Sequence, residues 1–457
     1  MTEAPRPRRQ HRRHYWLLIP FGLIMLLLIV EELENMGYPL PWRSDPCSLQ
    51  EADQSELSTK AYLPLVNRVI PPTPKRDVVV VYIDPNSEPP QVLTNTCASR
   101  IFLSRLIFDL GTLNAAIIVI DKYYSNGSCT EADANNTFLN AMDQQDRIVQ
   151  HKPTIPVVVG QPTEKLASTL KSAGCLALKE RFPFHDKANV HYGLTRLNSD
   201  TRKIPLRWTV IPENAKIVAS NPPSETSADS ISLVAARLKK PEIDKDPSIK
   251  RFLNTSHHPY TNFLLDLPTI NAMSVACSAE AARPYPGQSL NSYTYSQSGK
   301  DPCAGKTVLQ DDQGNKLDLN GKIVVIGDKS DADMQPFPGG DDRPGTWFQA
   351  NYIQSLLDDR FLQETPITLT IACLILFITI VYILFWRMGD AEQAFILSFI
   401  ILLALVALSI IFLVKEGYFT PLWALWGGLI MVIFRYMETK GHHLSTDPKH
   451  KHSAPHK

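Results

Sequence analysis

Two long apolar runs near the C-terminus constrain this chain more than any other feature. Ile367–Trp386 reads ITLTIACLILFITIVYILFW and Ala394–Val414 reads AFILSFIILLALVALSIIFLV, neither with a charged side chain. About 20 consecutive apolar residues match the hydrocarbon thickness of a bilayer, so both runs are expected to span a membrane. Two shorter runs join them. Tyr15–Val30, YWLLIPFGLIMLLLIV, follows the basic stretch RPRRQHRRH and is followed by no A-x-A-like cleavage site, which favours an uncleaved anchor over a signal peptide. Phe419–Phe434, FTPLWALWGGLIMVIF, contains Pro421 and the Gly427-Gly428 pair, which membrane helices tolerate, and Trp423 and Trp426, which suit an interface.

These runs divide the chain. The sequence predicts a basic tail over 1–14, membrane helices over 15–36, 366–387, 393–414 and 419–436, and a disordered tail over 437–457. Between the first and second helices lies a domain of residues 37–365. The arginines before residue 15 and Lys440, Lys449, Lys451 and Lys457 place both ends on the cytoplasmic side by the positive-inside rule, leaving the domain outside. Lys+Arg and Asp+Glu both number 46, so no basic excess points to nucleic acid. Of seven cysteines, Cys47, Cys97, Cys129, Cys175, Cys277 and Cys303 fall in the outer domain and Cys373 in a span. An even set in an oxidising compartment suggests disulfides, with 15 pairings open. Cys97 with Cys129 is the pair expected first, because the two flank one strand-helix-strand unit.

The outer domain reads as α/β: a mostly parallel sheet with helices on both faces. DVVVVYID, AAIIVID, TIPVVVG and GKIVVIGD are short β-branched runs suited to strands buried on both sides. SRIFLSRLIFDL, NNTFLNAMDQQDRIVQ, TEKLASTLKSAG and SISLVAARLKK alternate with them as helices. RKIPLRWTVIP reads as a strand, and TWFQANYIQSLLDDRFL as an amphipathic helix leading toward the membrane.

Four stretches resemble the type 2 CHASE domain, the extracellular sensor associated with bacterial cyclases and histidine kinases. They are VVVVYIDPNS, AAIIVIDKYY, RKIPLRW with SISLVAARL, and GKIVVIGDKSDADMQPFP with PGTWFQANYIQSLLDDRFL. The layout of one helix before the domain and three after it is also similar. The chain departs from the family after the first strand, where NSEPPQVLTNTCASR replaces an arginine-containing Pro-Trp stretch. It departs again after the last span, where about 20 residues stand in place of an output domain, too few for a catalytic core. The resemblance implies a bacterial inner-membrane sensor that signals through a separate partner. An assembly subunit whose outer domain docks other proteins is the alternative, and a tethered periplasmic enzyme is a third.

Asp84, Asp121 and Asp328 end three apolar strands. Ligands of parallel sheets bind beyond the carboxyl ends of strands, so these three are the candidate ligand-binding residues, while helix or loop capping is the ordinary role of such aspartates. The acidic loop DKSDADMQPFPGGDD lacks the EF-hand spacing and is expected to be solvated. No G-x-S-x-G, H-E-x-x-H or phosphate-binding glycine loop occurs, so the expectation is no enzyme activity, no cofactor and no metal. Expected partners are the lipid membrane and either another protein or a second copy through the spans. Ala404, Ala407, Ser409, Gly427 and Gly428 are the small residues there that permit close helix approach.

Overall fold

The computed structural model describes residues 76–84, 96–123, 129–144, 153–161, 163–165, 176–178, 189–197, 204–211, 226–253, 260–261, 267–281, 303, 308–330, 333–336, 342–359, 361–365, 367–388, 390–416, 418–419 and 422–446. They fall in two compact units, 76–361 and 362–446. The N-terminal anchor at 15–36, Cys47, Cys175 and the tail beyond 446 lie outside the described residues.

The first unit is α/β. Its strands are β1 (Val78–Ile83), β2 (Ile117–Tyr123), β3 (Val157–Gly160), β4 (Thr163–Lys165), β5 (Leu176–Leu178), β6 (Val190–Gly193), β7 (Arg207–Ile211), β8 (Thr226–Asp229), β9 (Tyr260–Thr261), β10 (Thr269–Asn271), β11 (Ile323–Asp328), β12 (Met334–Gln335) and β13 (Arg343–Pro344). Its helices are α1 (Thr96–Thr112), α2 (Ala132–Asp143), α3 (Ile231–Lys239), α4 (Pro247–Leu253), α5 (Ala272–Ala281) and α6 (Gly345–Leu357). Six strands form one sheet in the order β10-β1-β11-β2-β3-β6, and every neighbouring pair is parallel.

Alternation within the β-branched runs builds two cores. Val79, Val81, Ile118, Ile120, Val324 and Ile326 point to one face, against Phe102 and Leu106 of α1, Phe138 of α2 and Val275 of α5. Val78, Val80, Ile117, Val119, Ile323 and Val325 point to the other, against Ile231 and Ala235 of α3 and Ala350 and Ile353 of α6. Since consecutive residues of one strand serve opposite faces, both faces had to be covered, and the strands read as unbroken apolar runs.

α6 is not amphipathic. Gly345 through Leu356 are all buried, because one side packs on the sheet while Trp347, Phe348 and Tyr352 join Leu206, Leu233 and Ile249 in a third cluster. Its polar residues are spent internally. Gln354 Oε1 accepts from the backbone N–H groups of Asp77 and Val78, and Gln349 accepts from the Ser232 hydroxyl and donates to the Thr195 carbonyl. The segment from Thr163 also departs from expectation. Thr163–Lys165 is a strand, not the start of a helix, because its backbone pairs antiparallel with Leu176–Leu178 in a four-stranded sheet ordered β4-β5-β7-β8. A ladder partner outweighs the weak helical preference of three residues.

Among the described residues two disulfides staple this unit, Cys97–Cys129 and Cys277–Cys303. The first joins α1 to the start of α2 and packs with Ala134 and Ile101. It closes a separation of 32 residues, for which the chain-entropy account gives about 3–4 kcal/mol. Replacing both Cys97 and Cys129 with alanine is therefore expected to lower stability by about that amount, measured by denaturant unfolding. An unchanged midpoint under non-reducing conditions would contradict it.

The second unit contains β14 (Phe361–Glu364) from Leu362 on, α7 (Ile367–Arg387), α8 (Ala391–Glu416), β15 (Tyr418–Phe419) and α9 (Leu422–Thr446). α7 and α8 each carry a segment long and apolar enough to cross a membrane, 369–387 and 391–412. Most of that surface faces outward: Ile375, Leu376, Ile400, Leu403 and Phe412 are exposed, as suits lipid contact and not a soluble core. In α9 the apolar part is shorter, Gly427–Met437. The three helices pack through Phe377, Val381, Ala394, Leu402 and Val432. A Cβ on Gly428 would stand 3.1 Å from Phe377 and 3.3 Å from Leu402, so this glycine serves the chain's own helix packing. Ala404 and Ala407 remain exposed.

Candidate functional site

The chain leaves adjacent strands of the large sheet toward opposite faces. After β1 it enters α1, which packs on one face, and after β11 it enters α6, which packs on the other. β11 lies between β1 and β2. The carboxyl ends of these three strands therefore border a topological switch point, where parallel sheets leave a crevice.

Side-chain direction follows from the register. Ile83 pairs with Asp328 and Ile120 with Ile326, so Asp84, Asp121 and Asp328 gather along this edge. β2 is irregular there. Its pairing with β3 shifts between Ile120 and Tyr123, a bulge that contains Asp121 and Lys122. Bulges re-aim side chains at the ends of strands. A Cβ on Gly160 would stand 2.5 Å from the Lys122 carbonyl oxygen, so glycine opposite the bulge is what allows it.

Asp328 pairs with Lys122 at 2.5 Å. Its other oxygen, Oδ1, is buried and has no hydrogen-bond partner among the described residues. On the α6 side, Gly327 lets the helix come down onto β11: a Cβ there would lie 1.7 Å from Thr346 Oγ1. Thr346 has no exposed surface. Its hydroxyl faces Asp121 but meets no partner at ordinary hydrogen-bond geometry among the described residues.

Asp333 completes the group. It sits in the acidic loop that the sequence places in solvent, turned inward by a bond from its backbone N–H to the Ser330 carbonyl. Its carboxylate accepts from the backbone N–H groups of Gly345 and Thr346, so it caps α6 from outside the helix, where the macrodipole favours negative charge. Burial and the neighbouring Asp328 nevertheless push its carboxyl above the usual range. Asp121 shifts further, to about 7, first through burial and then through Asp333, with Asp328 adding and Thr346 and Lys122 opposing. Tyr82 of β1 is raised as well, chiefly by burial, and Lys329 Nζ lies 5.8 Å from its ring centre.

Of the three aspartates singled out by sequence, Asp121 and Asp328 meet in one cluster. Asp84 follows the last residue of the adjacent strand, and the groups that chiefly act on Asp121 are Asp333, Thr346, Asp328 and Lys122. The sequence does not single out Asp333, because nothing local distinguishes it from Asp331, Asp341 and Asp342. Only its closeness in space to Gly345 reveals the role. Among the described residues no group of three His, Cys, Asp or Glu side chains is arranged to hold a metal ion. No family model, curated protein or solved structure matches this chain.

Proposed function

We propose that this protein is a membrane-anchored extracytoplasmic sensor, similar to type 2 CHASE proteins, that responds at the Asp121–Asp328–Asp333 cluster and signals through a separate partner. The carboxylate cluster carries this reading. Like-charged groups collected in a half-buried crevice cost stability, and such cost is characteristic of functional sites. Helix α6 is capped by this cluster and continues, after a short connection, into α7. The cap is at the first turn of α6 and α7 follows the helix's other end in the chain, so a shift of the whole of α6 by an ångström or two is the movement that would pass a signal on.

The proposed arrangement has four spans, with both termini cytoplasmic in a bacterial inner membrane. Cysteine-accessibility labelling at residues 5 and 450 is expected to find both protected from outside, and outside exposure of either would overturn that topology. The partner is proposed to touch the helical bundle at the exposed Ala404 and Ala407 of α8, or to be a second copy of the chain. Mild-detergent purification from native membranes, followed by mass spectrometry, tests the function itself. A co-purifying kinase or cyclase is the expected result. Recovery of structural subunits of a surface assembly, with no signalling protein, would replace sensing by the assembly role.

A further inference from the structure

The cluster holds a set of groups that resist simultaneous ionisation. Facing Asp121 are Asp333 from the loop after β11, Asp328 from β11, Lys122 from its own strand and Thr346 from α6. Lys122 is already committed to Asp328. From α3, on the same face, come Ile231 and Ala235, which do not titrate. Farther out, Arg343 and Asp312 act on Tyr82 together with Asp333, Lys329 lies over the Tyr82 ring, Arg343 lies over Trp347, and Asp84 follows β1. Among the described residues the cation that acts on both Asp121 and Asp333 is Lys122, which is paired with Asp328, so the two carboxyl groups oppose each other with that charge already shared.

Space limits what can relieve that opposition. Between β11 and Thr346 there is no room for even a methyl group, since a Cβ on Gly327 would stand 1.7 Å from the hydroxyl oxygen. The Thr346 hydroxyl, fully buried and without a partner of ordinary geometry among the described residues, is a group that can accept a hydrogen bond from a protonated carboxyl or donate one to a carboxylate. We infer that the ligand of this site is the proton: uptake at Asp121 removes its repulsion of Asp333 and so secures the Asp333 cap on the first turn of α6, and loss of the proton loosens that turn. The inference rests on the sensor reading of the same cluster and names its stimulus.

Two carboxyl groups coupled in this way titrate as a pair, with one proton leaving well above the ordinary range. That proton comes from and returns to solvent, which reaches the site because Asp328 and Lys122 keep 23% and 24% of their side-chain surface. In the ionised state the Asp333 carboxylate still accepts from Gly345 and Thr346, but against a second negative charge.

Infrared difference spectra of the full-length chain in detergent, taken between about pH 5 and about pH 9, would follow the protonated carboxyl band directly. A band lost with a midpoint near neutrality, present in Asp84→Asn and gone in Asp121→Asn, is expected. Amide exchange at fixed pH of about 8 supplies a second readout. Asp121→Asn holds the neutral state, so the Gly345 and Thr346 amides are expected to exchange severalfold more slowly than in wild type. If Asp121→Asn does not fold, Asp121→Glu serves instead, and a shifted band midpoint is then required. No carboxyl titrating between about pH 6 and about pH 8, or unchanged exchange at α6, would overturn proton control. A co-purifying signalling protein would still leave the sensor reading standing in that case, with another stimulus.

Discussion

Gly327→Ala is expected to destabilise the α/β unit by about 3 kcal/mol, at the upper end of what overpacking ordinarily costs. The reason is steric and local. A Cβ at this position would lie 1.7 Å from Thr346 Oγ1, 2.7 Å from its Cβ and 2.8 Å from its Cγ2. Thr346 cannot swing aside, because it is fully buried and its backbone N–H is held by Asp333. The helix start must therefore retreat from β11, and the retreat opens the contacts of Ala350 and Ile353 with the sheet. Gly321 provides the control. It has φ +73° with nothing near its would-be Cβ, so alanine there meets backbone strain but no clash, a cost of about 1 kcal/mol. Denaturant unfolding of both variants in the full-length chain makes the comparison. Adding Thr346→Gly to Gly327→Ala should recover part of the loss, since it removes all three contacting atoms. A Gly327→Ala loss no larger than that of Gly321→Ala would show that α6 does not seat as tightly as described.

The sequence makes an element legible where its signal is local. The strands were plain, because Val78–Ile83, Ile117–Ile120 and Ile323–Ile326 are buried on both faces and hence apolar at every position. The two long apolar runs of α7 and α8 are legible for a related reason: a helix that faces lipid is apolar all round. α6 departs from the amphipathic reading of its sequence because its polar residues are buried. Gln349 and Gln354 look like a solvent face in sequence, yet each satisfies a distant backbone or side-chain group. The insertion of β11 between β1 and β2 has no sequence signature at all. It is set by a pairing between residues more than 200 positions apart, and it is this insertion that brings Asp328 beside Lys122. Asp121 and Asp328 could be named because an acid that ends an apolar strand is conspicuous. Asp333 could not, since its significance comes from two N–H groups at the start of a helix farther along the chain. The glycines at 160 and 327 carried a usable hint, as each interrupts or ends an apolar strand where close backbone approach is one of few reasons for the residue.

Asp121→Asn should make the protein more stable than wild type at about pH 8, by an amount that falls toward zero near pH 4. The Asp121 carboxyl sits at about 7 in the folded chain against an ordinary 3.8. Between those values the native state binds more protons at this position than the unfolded state does. The stability this group contributes is therefore fully present below about pH 4 and is lost as pH rises through about 7. Raising this carboxyl from 3.8 to about 7 sets an upper limit of about 4 kcal/mol, and partial access to solvent at the cluster's edge reduces it. The asparagine side chain cannot ionise, so the variant lacks the decline. Asp333, also raised by burial and Asp328, adds a slope of the same sign that persists in the variant, although weakened once Asp121 no longer repels it. The two unfolding curves should accordingly converge in acid and separate through neutrality. Equal stabilities at about pH 8 would mean that Asp121 is solvated well enough to ionise without penalty. A variant less stable than wild type there would mean that the carboxylate is held by a favourable partner, and the account of the cluster as an unrelieved opposition of charges would fail.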